Sequence, residues 1–128
     1  MSTRILVVDD DPSLLALVAN ILGDEGYDVA TARNGAEALE QVAAALPSVL
    51  VTDLMMPVMD GRALVRACRA VPATARLPIV VMSGALPVLL EGVRQLGVEH
   101  AIQKPFDADA LVAIIASLVA GTWPAPGG

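Results

Sequence analysis

VLVTDLMMPVMDG, residues 49–61, opens on Val49, Leu50 and Val51, a short apolar run with the β-branched character of a buried strand. Asp53 ends the run. Pro57 has no amide proton to offer a neighbouring strand, and Gly61 tolerates backbone angles that side chains resist. A buried strand, a carboxylate at its exit and a turn of fixed shape together present a reactive group at the carboxyl edge of an α/β sheet. Aspartate is also a common turn residue, so Asp53 taken alone fits plain chain reversal equally well. The flanking segments separate the two readings.

Ile5–Val8 is a second all-apolar strand, of the kind buried on both faces of a parallel sheet, and it runs into Asp9, Asp10 and Asp11. Pro12 suits a first helical position with Asp11 as N-cap, and Leu14, Leu17, Val18, Ile21 and Leu22 form a helical stripe that ends near Gly23. Tyr27–Ala32 is a weaker strand. Asn34-Gly35 then leads into a helix with Leu39, Val42, Ala43 and Leu46 inward, stopped by Pro47. After Gly61 a helix turns Leu64, Cys68 and Val71 inward, and Pro72–Pro78 reads as a loop. Ile79–Met82 is another apolar strand, ending in Ser83-Gly84, followed by a helix carrying Leu86, Leu89, Val93 and Leu96 and closed by Gly97. Val98–Ile102 is the fifth strand and ends at Lys104-Pro105; the last helix opens near Asp107, with Leu111, Ile114, Ile115 and Leu118 on one face. Five alternations of strand and helix predict a single α/β domain: one five-stranded parallel sheet with helices on both faces and right-handed crossovers. Its expected bounds are residues 1–120, with 121–128 as a flexible tail or linker.

The composition fits such a domain and excludes several classes. Of 128 residues 55% are hydrophobic, yet the aromatics are only Tyr27, Phe106 and Trp123, so Ala, Val, Leu and Ile must build the core. A net charge of −6 argues against a nucleic-acid surface, and Arg62, Arg66 and Arg69 on one helical side read as a solvated face. No apolar run approaches the roughly 18 residues of a membrane span. The amino terminus meets acid before a signal peptide's apolar region could form, which predicts a cytoplasmic chain. A single cysteine, Cys68, forms no internal disulfide and no metal pair.

In a parallel sheet the carboxyl ends of the strands share one edge, which gathers Asp9, Asp10, Asp53, Ser83 and Lys104. Clustered carboxylates repel unless a cation joins them, and an all-oxygen set suits a hard divalent ion, most naturally Mg2+ bound with a phosphate. A hydroxyl and an ammonium at the same edge suit phosphoryl oxygens as charge develops. Lys104 is the only lysine beside seven arginines, which points to a compact point charge at that strand end.

The runs ILVVDDDPS, VLVTDLMMPVMDG, IVVMSG and QKPF together resemble the receiver domain of bacterial two-component response regulators, over roughly residues 4 to 120. The resemblance implies a flavodoxin-like fold with strand order 2-1-3-4-5. It implies that Asp53 is the phosphoryl acceptor, taking its phosphate from a histidine kinase or phosphotransfer protein. Asp9 and Asp10 would hold Mg2+ together with Asp53 and the backbone carbonyl of Met55, Ser83 would hydrogen-bond the phosphoryl group, and Lys104 would pair with it. The implied output is a change of conformation that alters binding of a downstream protein at the face of the fourth helix, fifth strand and last helix, where Val88 and Leu90 are apolar residues off the core stripe. No nucleic acid or membrane partner is expected; a second copy of the chain is a further candidate.

Two features depart from the family pattern. Ala101, beside His100, stands where the fifth strand usually carries an aromatic residue. Met55 and Ala85 stand two places after the acceptor and the serine and cannot orient a water, so slow self-dephosphorylation is expected. Two rival readings exist. A phosphatase similar to haloacid dehalogenases would use Asp9 as nucleophile and Asp11 as acid, but Ser13 departs from that family's motif and Asp53, Pro57 and Gly61 go unexplained. A receiver-like interaction module that is never phosphorylated would leave the acidic set and Lys104 without purpose.

Overall fold

The computed structural model describes residues 3–84, 95 and 97–121. Five parallel strands, β1 (Arg4–Val8), β2 (Asp28–Ala32), β3 (Val49–Asp53), β4 (Ile79–Ser83) and β5 (His100–Gln103), form one sheet in the order β2-β1-β3-β4-β5. The described helices are α1 (Pro12–Asp24), α2 (Gly35–Ala44), α3 (Gly61–Ala70) and α4 (Ala108–Ala120). Leu86, Leu89, Val93 and Leu96 of the expected fourth helix, Val88 and Leu90 on it, Ala85 and the tail beyond Gly121 lie outside the described residues.

Period-2 alternation in the strands builds two cores. Leu6, Val8, Leu50, Ile79 and Val81 point to one face, where Ala38, Val42, Leu64, Val65 and Cys68 of α2 and α3 cover them. Ile5, Val7, Val49, Val51, Val80 and Met82 point to the other, against Leu15, Val18 and Leu22 of α1 and Leu111, Ile115 and Leu118 of α4. Each fully buried Val, Leu or Ile contributes roughly 1.5–3 kcal/mol relative to exposure. A one-residue slip would exchange the two cores, so burial on both faces fixes the register. In that register Val8 pairs with Thr52 and Asp53 with Met82, which sets the exits of β1, β3 and β4 side by side.

Helix starts follow the local chemistry. Asp11 caps α1, accepting from the Ser13 and Leu14 amides ahead of Pro12, and Asn34, Asp60 and Asp107 cap the other three helices. Inward faces differ from the sequence expectation in three places. In α1 it is Leu15, Val18 and Leu22 that are buried, while Leu17 is 53% exposed and Leu14 and Ile21 half-buried. The helix is apolar around much of its girth, so periodicity alone left two stripes to choose from. In α2 the inward set is Gly35, Ala38 and Val42; Ala43 lies on the exposed side of the helix, and Leu46 is exposed beyond its end at Ala44. Val71 is the extended C-cap of α3 and turns outward. Strand β5 begins at His100 rather than Val98.

Candidate functional site

Asp9, Asp53 and Ser83 are buried at the carboxyl ends of β1, β3 and β4, and Asp10 beside them is exposed. Lys104 follows β5 and reaches across. Its Nζ donates to Asp9 Oδ2 at 2.8 Å and lies 3.3 Å from Asp53 Oδ1. Its backbone amide donates to the Ser83 carbonyl at 2.7 Å, which ties the lysine to the exit of β4. The other Asp9 oxygen accepts the Asp11 amide at 2.9 Å, an Asx turn that orients the carboxylate. Sequence reasoning gave Asp11 a side-chain role, as a cap or as a phosphatase acid, and missed this role of its amide; an Asp two residues before a helix N-cap was the available signal. Asp11 Oδ1 accepts the Ser13 and Leu14 amides, so this carboxylate serves as the N-cap of α1.

The loop after β3 is shaped by close contacts. Gly61 is needed for space: its amide donates to the Leu54 carbonyl at 2.9 Å, and a Cβ there would collide with the Asp53 carbonyl oxygen. Its φ is not positive, so the sequence argument from backbone angle is replaced by one from close approach. Val58 carries the unusual angle instead, φ 67°, in a three-residue turn closed by the Met59 amide donating to the Pro57 carbonyl at 2.7 Å. The loop also leans on α2: the Gly35 amide donates to the Met59 carbonyl at 2.9 Å. Met55, two residues beyond Asp53, turns its side chain to solvent.

One carboxylate oxygen from each of Asp9, Asp10 and Asp53 lies within 4.8 Å of the other two. Burial pushes the Asp53 carboxyl above its ordinary pKa, the charge of Asp9 adds to this, and Lys104 opposes both. Burial alone would lower Lys104; its bond to Asp9 and the charges of Asp53 and Asp9 outweigh that and raise it. Three carboxylates against one ammonium leave a formal charge of about −2, and the donors are all oxygen, so the residues fit a hard divalent cation. Beside Lys104, Leu14, Leu17, Ile21, Pro105 and Phe106 line an apolar groove between α1 and the start of α4. His100 and Ala101 are half-buried on the edge strand.

Comparison with known proteins agrees with this geometry. The family model "Response regulator receiver domain" matches residues 5–116. The chain is 38% identical over 116 residues to the DNA-binding response regulator MtrA of Mycolicibacterium smegmatis, covering 88% of this chain and 49% of MtrA. It is 39% identical over 127 residues to the response regulator MprA of Mycobacterium tuberculosis, covering 97% of this chain and 54% of MprA. It thus spans about half the length of these curated relatives. Among solved structures, the chemotaxis response regulator CheY4 of Vibrio cholerae superposes with a TM-score of 0.85 at 29% identity, over 92% of this chain and 99% of that one. The chain belongs to the response regulator receiver domain family of two-component signalling.

Proposed function

We propose that Asp53 is the phosphoryl acceptor of this receiver, taking its phosphoryl group from a phosphohistidine of a histidine kinase or phosphotransfer protein. An Asp53 carboxylate oxygen attacks phosphorus, the P–O bond forms as the P–N bond breaks, and the electron pair returns to the imidazole nitrogen. Like charges on carboxylate and phosphoryl group oppose that approach, and the Lys104 ammonium, already 3.3 Å from Asp53, reduces the repulsion and holds the oxygens in line. Asp9, Asp10, Asp53 and the Met55 carbonyl oxygen would hold Mg2+, which when bound neutralises phosphoryl charge. Ser83 at the exit of β4 takes a phosphoryl oxygen as hydrogen-bond partner. The observation that carries the reading is the single ammonium shared by Asp9 and Asp53.

The acyl phosphate carries about −2 charge into this edge, and a pull on Ser83 shifts the population between two conformations. Its downstream partner, a protein or a second copy of the chain, would dock on the face built from the fourth predicted helix, β5 and α4. Self-dephosphorylation is slow, since the exposed thioether of Met55 cannot align a water. The working unit is residues 1–120, with 121–128 as a tail or linker, in the cytoplasm. No described helix is long and apolar enough to cross a membrane. These 128 residues, at net charge −6, make no direct nucleic-acid contact; MtrA, named as DNA-binding, is about twice the length that the chain matches.

Intact mass spectrometry after incubation with acetyl phosphate and Mg2+ tests the reading, with Asp53→Asn as control. One phosphoryl adduct on the parent and none on the variant supports it. No adduct on either identifies a silent interaction module.

A further inference from the structure

Arg69 does not belong to a solvated face with Arg62 and Arg66. Its guanidinium lies over the end of the sheet opposite the acidic site and donates to five groups. Nη1 reaches the carbonyls of Thr74 at 3.3 Å, Ala75 at 3.1 Å and Leu77 at 2.8 Å. Nε and Nη2 reach the Gly97 carbonyl at 3.2 and 2.9 Å, and Nη2 also reaches Glu99 Oε1 at 3.0 Å. The same Glu99 oxygen accepts the Ile79 amide at 2.7 Å, and the Glu99 amide donates to the Ile79 carbonyl at 3.0 Å. One side chain on α3 therefore joins the turn after α3, the start of β4 and the approach to β5. Such a fork with several acceptors is a guanidinium property that an ammonium cannot reproduce.

Strand β5 needs such an anchor. It is a four-residue edge strand with one neighbour, β4, and none of its residues is fully buried. Ala101 and Ile102 pack against the two cores but are only partly buried, so packing holds β5 less firmly than β1, β3 and β4, and an edge strand held on one side frays from its ends. At its far end stands Lys104, whose ammonium must meet both Asp9 and Asp53. An extended strand does not shorten along its axis, so the position of Glu99 is passed through roughly 3.3 Å per residue to Lys104.

We propose that Arg69, acting through Glu99 and β5, is a positioning residue for Lys104 on the opposite edge of the sheet. The consequence for phosphoryl transfer rests on the acceptor role of Asp53; the placement of Lys104 does not.

The test uses the full chain labelled with 15N-lysine. Lys104 is the only lysine, so a single side-chain ammonium signal reports its contacts. The parent is compared with Arg69→Met and with the milder Glu99→Gln, which drops the charge but keeps an acceptor. The expected result is a shifted or exchange-broadened Lys104 signal in Arg69→Met, a smaller change in Glu99→Gln, and phosphorylation by acetyl phosphate slowed several-fold in the same order. If Arg69→Met does not fold, Glu99→Gln decides alone. A lowered melting temperature with an unmoved Lys104 signal would overturn the proposal and leave Arg69 a stabiliser only. A parent chain that takes no phosphoryl group would sink the acceptor reading, while the ammonium signal still decides the role of Arg69.

Discussion

Lys104 Nζ sits 2.8 Å from Asp9 Oδ2, so the ammonium at the end of β5 is bonded to a carboxylate two strands beyond its own neighbour in the sheet. Asp9 is fully buried, whereas the Lys104 side chain keeps 24% of its exposure. Removing the lysine would leave a buried carboxylate with the Asp11 amide as its one hydrogen-bond donor among the described residues. Stranding a buried charge costs roughly 3–5 kcal/mol, and the solvent access on the lysine side brings the expected loss for Lys104→Met to about 2 kcal/mol. Urea denaturation without divalent ions checks this. Mg2+ should recover much of the loss, and a variant as stable as the parent would mean the pair is energetically idle.

Asp53 sets a pH dependence whose sign follows from its raised pKa. The folded chain holds the Asp53 proton more tightly than the unfolded chain, whose ordinary value is 3.8. Ionised Asp53 therefore disfavours the folded state above its folded pKa, and the penalty fades as pH falls toward 3.8. Asp53→Asn should melt higher than the parent at neutral pH without Mg2+, and its advantage should shrink through that acidic window. Thermal melts across the range decide it; a variant less stable at neutral pH would show that the Lys104 contact outweighs burial.

Gly61→Ala should destabilise by about 2–3 kcal/mol, because the added methyl meets backbone rather than a side chain that can swing away. Leu54 Cα, 2.9 Å from the new methyl, and the still closer Asp53 carbonyl would have to move, and the carboxylate moves with them. Loss of Mg2+ affinity by calorimetry should accompany the fall in stability. Unchanged affinity would show that the loop relaxes without disturbing Asp53.

Val58→Gly should do the reverse. A β-branched residue at φ 67° is strained by roughly 1–3 kcal/mol, and Val58 is 86% exposed, so its side chain contributes little packing in return. Glycine relieves the strain but adds about 0.5–1 kcal/mol of unfolded-state entropy, which leaves a net gain of about 1 kcal/mol. Denaturant midpoints measure it. A destabilised variant would mean that the valine makes contacts its exposure conceals.

Strands β1, β3 and β4 and the carboxylates at their ends were legible in the chain because each is a local pattern. Three or four apolar residues in a row, β-branched and bounded by acid or turn residues, read as central strands, and Asp9 and Asp53 stand where those strands stop. The caps of α1 and α4 were legible for the same reason, since Asp11 and Asp107 bond to amides within three residues. The inward stripe of α1 was not. Leu14, Leu17 and Ile21 satisfy helical spacing as well as Leu15, Val18 and Leu22 do, and only the sheet's position chose between them.

Arg69 and Gly61 show the same division more sharply. Nothing near Arg69 in sequence distinguishes it from Arg66, yet its partner Glu99 is thirty residues away and is reached only once β4 and β5 pair. Gly61 was noticed for a freedom of φ it does not use; the approach of the Asp53 carbonyl that requires it appears when β3 and α3 pack. Apolar periodicity and residue chemistry act over a few residues and are carried by the chain itself, and they determined the α/β class and the set of groups at the sheet edge. Which ammonium oxygen distances close, which helix face turns inward and which arginine becomes an anchor depend on contacts between distant segments, and the packed sheet alone brings those within reach.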